Sequence, residues 1–172
     1  AVWAAARDLP EEYLLEVTIA PDGADCVYAV VLGGRGDLID GCELRLDPRR
    51  KVAQWGVPRD GKPAPRVPTA AEILATPADD PLANANLPFH GRDFAIAGVE
   101  GLDRPLTVRV LVVRDRKSGT TILDAEIGGR RTMITRREGL TGRRLHLVAV
   151  AGAAIFDRPV VSGLRRGKAL PA

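Results

Sequence analysis

Residues 121–135 read T-I-L-D-A-E-I-G-G-R-R-T-M-I-T. Leu123, Ala125 and Ile127 alternate with Asp124 and Glu126, the period-two pattern of a half-buried strand. Gly128-Gly129 then hands over to a second run from Arg131 to Thr135, because glycine supplies the positive φ that a tight hairpin demands. One β-hairpin is therefore predicted here, and the question is whether the rest of the chain repeats it.

It does. Tyr13, Leu15, Val17 and Ile19 share one face of an expected strand, and Glu16 and Thr18 share the other. Pro21-Asp22-Gly23 is turn chemistry, and Cys26 to Leu32 is a nearly continuous apolar run suited to an interior strand. Further strands are expected at 41–47, 52–55, 94–99, 106–113, 144–150, 154–156 and 160–164. Their short length and regular spacing, with turn residues between them, imply an all-β chain folded as a two-sheet antiparallel β-sandwich. The 18 Gly and 13 Pro among 172 residues agree with many short elements.

Length suits one domain, 1–172, since chains split mainly beyond about 250 residues. Within it, residues 57–88 form a long proline-rich excursion that carries Pro58, Pro63, Pro65, Pro68, Pro77, Pro81 and Pro88. Thr69-Ala70-Ala71-Glu72 matches a capping box, so one short helix over Ala70 to Ala75 is expected inside it. With 45% apolar residues the core needs no metal or disulfide. If the strands around the 33–40 loop pair so that residue numbers sum to 73, Cys26 faces Asp47 and Cys42 faces Val31. The two sulfurs are then roughly 17 Å apart along the ladder, beyond disulfide reach. Two free, buried thiols are expected, which leaves the compartment open between secreted and cytoplasmic.

Charge is uneven. Residues 1–99 carry 10 basic and 15 acidic side chains, and residues 100–172 carry 15 and 7. Nucleic acid would want aromatics among those arginines, and residues 100–172 contain Phe156 alone; no nucleic-acid partner is expected. No apolar run reaches the 18 or more residues of a membrane helix and no signal-peptide pattern opens the chain, so no membrane partner is expected either. The start at Ala1, without Met, reads as a processed product or a piece of something longer.

His90 and His146 stand far apart without a Cys or second His at ligand spacing, so no zinc site and no cofactor are expected. Ser118 and Ser162 lack a G-x-S-x-G setting. Gly33, Gly34 and Gly36 precede no helix start and read as turn glycines, and Arg35-Gly36-Asp37 is a three-letter match common by chance.

The pair with chemistry in it is Asp124 and Glu126, two carboxylates on one strand face about 7 Å apart at the backbone. A glycoside hydrolase needs two such groups, one with a raised pKa in a concave setting. The alternative is a solvent-facing strand whose acids pair with Arg109, Arg130 or Arg131. For sugar binding, Trp55 is the best aromatic platform, at the end of a strand where the excursion begins, with Glu43 and Arg45 as nearby polar groups; core packing is the competing reading of Trp55.

Three groups of residues together resemble a known family: Phe89-His90-Gly91-Arg92-Asp93-Phe94, the strand Leu106 to Val113, and Ile122-Leu123-Asp124-Ala125-Glu126-Ile127-Gly128-Gly129-Arg130-Arg131-Thr132. They look like the concanavalin A-like sandwich that follows the five-bladed propeller in fructan-type glycoside hydrolases of family 32. Tyr28 to Leu46 is similar to the early strands of such sandwiches and Phe156 to Leu164 to the last. The resemblance implies a jelly-roll-type module. In that family the catalytic carboxylates lie in the propeller, in motifs such as W-M-N-D-P-N-G, and no such stretch occurs in this sequence. Asp124 and Glu126 match no catalytic motif of the family. The resulting expectation is a noncatalytic accessory or glycan-binding module, with carbohydrate or a catalytic domain or subunit as partner and homo-oligomers possible. The alternatives are a self-contained glycan hydrolase or lyase using Asp124 and Glu126, and a structural or adhesion module.

Overall fold

The computed structural model describes residues 1–5, 8–34, 41–56 and 94–164, with backbone alone at Phe94. The expected helix at Ala70–Ala75 and the 57–88 excursion fall outside these residues. Those described form eleven strands: β1 (Val2–Ala4), β2 (Tyr13–Pro21), β3 (Val27–Gly34), β4 (Cys42–Asp47), β5 (Val52–Gly56), β6 (Phe94–Ala97), β7 (Leu106–Asp115), β8 (Thr120–Ile127), β9 (Arg131–Glu138), β10 (Arg144–Ala151) and β11 (Ala154–Gly163). All pairings are antiparallel. One sheet has six strands in the order β1-β10-β3-β4-β5-β6 and the other five in the order β11-β2-β7-β8-β9. Among the described residues there is no helix, hence none long and apolar enough to cross a membrane.

Alternation builds the core. Tyr28, Val30 and Leu32 from β3, Cys42, Leu44 and Leu46 from β4, and Leu145 and Leu147 from β10 face Leu15, Val17 and Ile19 from β2, Val108 and Val110 from β7, and Leu123 and Ala125 from β8. Each of these is at most 1% exposed, so the apolar faces read from period two meet between two layers.

Two expectations need correction, and one strand had no expectation at all. The β3–β4 pairs sum to 74, as in Leu32↔Cys42 and Tyr28↔Leu46, so Cys42 lies opposite Leu32 and not Val31. A one-residue slip exchanges every face, and the observed register is the one that turns Leu44 and Leu46 inward. Cys26 and Cys42 are both buried and outside any disulfide, as expected, and the Cys42 sulfur accepts from Arg137 Nε at 3.3 Å. The two runs at 154–156 and 160–164 are one strand, β11, with an irregularity between Asp157 and Val160, where Arg158 takes φ 49° and Pro159 has no N–H to donate. Finally, Val2–Ala4 forms an edge strand on β10; three residues are too few for a period to show.

Candidate functional site

On β8 the inward residues Leu123, Ala125 and Ile127 leave Asp124 and Glu126 on the outer face of the five-stranded sheet. Register then chooses their neighbours. Glu126 lies beside Arg109 of β7, and Arg109 beside Glu16 of β2. The result is a row of three charges. Arg109 donates from Nε to Glu16 Oε2 at 2.6 Å and from Nη1 to Glu126 Oε1 at 3.1 Å, and the Glu16 hydrogen bond, foremost, raises the guanidinium's pKa. Asp124 sits one row away, between Leu111 and Ile134. Partial burial there, and secondly the charge of Glu126, push its carboxyl above the ordinary carboxylate value.

Beyond Glu126 the sheet ends in an open groove of about 490 Å³, lined by Thr18, Arg104, Thr107, Arg109, Glu126 and Arg130 among others. One wall is the 100–105 turn. It is pinned from below, where the buried Tyr28 hydroxyl donates to the Leu102 carbonyl at 2.8 Å, and from the side, where Lys51 Nζ donates to Glu100 at 2.9 Å. The other wall is the β8–β9 turn, with Gly128 and Gly129 at φ 60° and 68° and the Gly128 N–H bonded to the Thr107 carbonyl at 2.8 Å. The Thr18 and Thr107 hydroxyls are 3.4 Å apart. Arg104 and Arg130 are both exposed, and among the described residues neither has a carboxylate within ion-pair distance. Of the three arginines expected to pair with the strand's acids, only Arg109 does so among the described residues. The groove thus combines two fixed turns with hydroxyls, the Glu100 and Glu126 carboxylates and two guanidiniums that have no acidic partner among the described residues.

Trp55 is placed differently from the platform role. Its ring points inward with no exposed surface, and its Nε1–H donates to the Met133 carbonyl of β9 at 3.1 Å. No ring face remains for a sugar, which corrects that expectation: the alternation that turns Ala53 inward turns Trp55 the same way. Glu43 and Arg45 share the outer face of β4, away from the groove's sheet. They form a two-pronged pair, Nε to Oε1 and Nη2 to Oε2, both 3.1 Å, with Glu43 buried. The structure therefore does not bring Trp55, Glu43 and Arg45 together with Asp124 and Glu126.

The groove was not singled out from the sequence. The turn glycines at 128–129 were legible, but Arg104 and Thr18 reach the site from distant segments through the β2–β7–β8 register, and a single sequence does not display registers.

No family model matches the sequence, and no curated protein matches it. Among solved structures, the chain is similar to an exo-inulinase from Aspergillus awamori, at 8% identity and a TM-score of 0.51. The similarity covers 93% of this chain and 27% of that one; the chain thus spans about a quarter of that enzyme's length. At this identity the likeness is one of fold: the all-β, two-sheet sandwich of the described residues is shared with part of a glycoside hydrolase of family 32.

Proposed function

We propose that this chain is a noncatalytic β-sandwich module of a carbohydrate-active protein, one that holds a glycan in the groove beside Glu126 and associates with a catalytic domain or subunit. Its fold likeness to part of an exo-inulinase supports the carbohydrate setting. The observation that carries the noncatalytic reading is the Glu16–Arg109–Glu126 row. A nucleophile or general base needs a carboxylate free to move its charge toward substrate, and here Glu126 already spends its charge on a guanidinium. As a paired acceptor on the groove wall it suits sugar hydroxyls instead. In this reading Glu43 and Arg45 hold the outer face of the six-stranded sheet and do not touch the sugar.

A second reading, a self-contained glycan hydrolase or lyase, rests on Asp124, whose raised pKa fits a general acid next to Glu126 on the same strand face. Calorimetric titration with neutral and acidic oligosaccharides, inulin-type fructans included, run beside a reducing-end assay separates the two. The expected result is binding without new reducing ends, weakened severalfold in Glu126→Gln while the melting temperature holds. Turnover that Glu126→Gln abolishes would establish the hydrolase, and silence across the whole panel would leave a structural or adhesion module.

A further inference from the structure

Two guanidiniums in the groove, Arg104 and Arg130, have no acidic partner among the described residues, and they say more than that a sugar binds. Arg109 has its charge already matched, since its Nε and Nη1 bridge the glutamates on both neighbouring strands. Lys51 and Glu100 satisfy each other at the groove's rim. What remains is Arg104 on one wall and Arg130 on the other, each on a turn held in place by buried or backbone hydrogen bonds. Among the residues that line it, Glu100 and Glu126 stand against Arg104, Arg109 and Arg130, so the groove carries one excess positive charge. A guanidinium is a planar fork of donors that matches a carboxylate oxygen for oxygen, whereas a neutral hydroxyl engages it through one oxygen. The volume of about 490 Å³ lies in the range of small-ligand sites, about 300–1,000 Å³, and suits a short oligosaccharide. The Thr18 and Thr107 hydroxyls and the Glu126 carboxylate are left to pair with its ring hydroxyls.

We infer that the groove selects acidic glycan: an oligosaccharide containing a uronic acid, whose carboxylate is taken by Arg104 and Arg130 while Glu126 and the two threonines hold neighbouring hydroxyls. This rests on the glycan-binding reading above and adds the substrate class. The basic half of the chain from residue 100 onward, with 15 basic and 7 acidic side chains, favours the approach of such a ligand.

The test is titration of the full chain with a galacturonate trisaccharide and with the neutral galactose trisaccharide, at low and high salt. The acidic sugar is expected to bind on the order of tenfold tighter, with the ratio shrinking as salt rises. Arg104→Ala and Arg130→Ala, both exposed turn positions, are expected to remove most of that preference, lowering the affinity for the acidic sugar far more than that for the neutral one. Equal affinities for the two sugars overturn the inference and leave the glycan reading standing. Failure of both to bind, with inulin-type fructans silent too, removes both. An acidic preference that survives the double variant Arg104→Ala/Arg130→Ala also overturns it, because the anion then sits elsewhere on the basic surface. So does inorganic sulfate competing as strongly as the sugar, since the groove would then read charge alone.

Discussion

His146 shows how one side chain can link strand geometry to solution behaviour. It points to the outer face of β10, between core-facing Leu145 and Leu147, yet it is only 6% exposed and its Nδ1 has no hydrogen-bond partner among the described residues. Burial, and then the charge of Arg144, lower its pKa below the usual 6.5. A histidine whose folded pKa is depressed binds fewer protons folded than unfolded. Its contribution is therefore fully present above pH about 6.5 and is lost as the pH falls below that value, where the unfolded chain takes up a proton that the folded one resists. Urea unfolding between pH 8 and 5 is expected to show stability falling in this window, and His146→Gln is expected to flatten the fall. Thr135 Oγ1 is the other buried side-chain atom without a partner among the described residues. Glu43, by contrast, is as buried as His146 and is satisfied by both nitrogens of the Arg45 fork. Buried polar groups of this kind were invisible in the sequence, because Glu43 and Arg45 alternate with Cys42, Leu44 and Leu46 just as an exposed face would.

At the scale of elements, edges are what a sandwich has to manage, since an unpaired strand edge is a template for another chain. The edge strand β11 is interrupted at Asp157–Val160, with Arg158 at positive φ and Pro159 lacking an N–H. The edge strand β9 is handled from the other sheet: the Trp55 indole of β5 reaches across the core to the Met133 carbonyl. Trp55 is thus a tie between β5 and β9 and not a surface platform. Trp55→Ala is expected to cost about 3–5 kcal/mol through the cavity it leaves, and Trp55→Phe about 1–3 kcal/mol, chiefly from the stranded carbonyl. Equilibrium denaturation measures both, and neither is expected to change the acidic-sugar preference of the chain that remains folded. Sequence patterning located ten of the eleven strand regions, whose four to ten residues suffice for an alternating or apolar run to show. It misjudged the β3–β4 register by one residue, which the length of a loop does not fix, and it split β11, where a bulge and a proline look like an end.

For the molecule as a whole, the two outer faces differ. On the six-stranded sheet Ala29, Val31, Glu43, Gln54 and His146 are all buried, although the core lies on the opposite side of that sheet. On the five-stranded sheet the outer face is open, with Ile134 at 42% and Val160 at 52% exposed beside the Glu16–Arg109–Glu126 row. The same substitution therefore has different consequences on the two faces. Val31→Thr places a hydroxyl at a site 1% exposed and is expected to cost about 1–3 kcal/mol. Ile134→Thr, which keeps the β-branch, is expected to stay within about 0.5 kcal/mol. Parallel urea titrations of the two variants check this, and similar losses would mean that the faces are equivalent. The open face also adjoins the groove, so the sheet that presents the proposed ligand site is the one whose outer residues can vary without loss of the core.

By itself the sequence determined that the chain is a β-sandwich, where most of the described strands lie, that Cys26 and Cys42 form no disulfide with each other, and that Asp124 and Glu126 share a face. All of these follow from local periodicity and spacing, which a strand imposes within a few residues. Tertiary structure decided the rest. It turned Trp55 into the core, placed Arg109 between two glutamates, and set Arg104 and Arg130 on opposite walls of one groove. Those outcomes depend on which strands pair and in what register, and pairing is settled by burying every apolar face at once between two sheets, a condition on the whole chain that no short stretch of it contains.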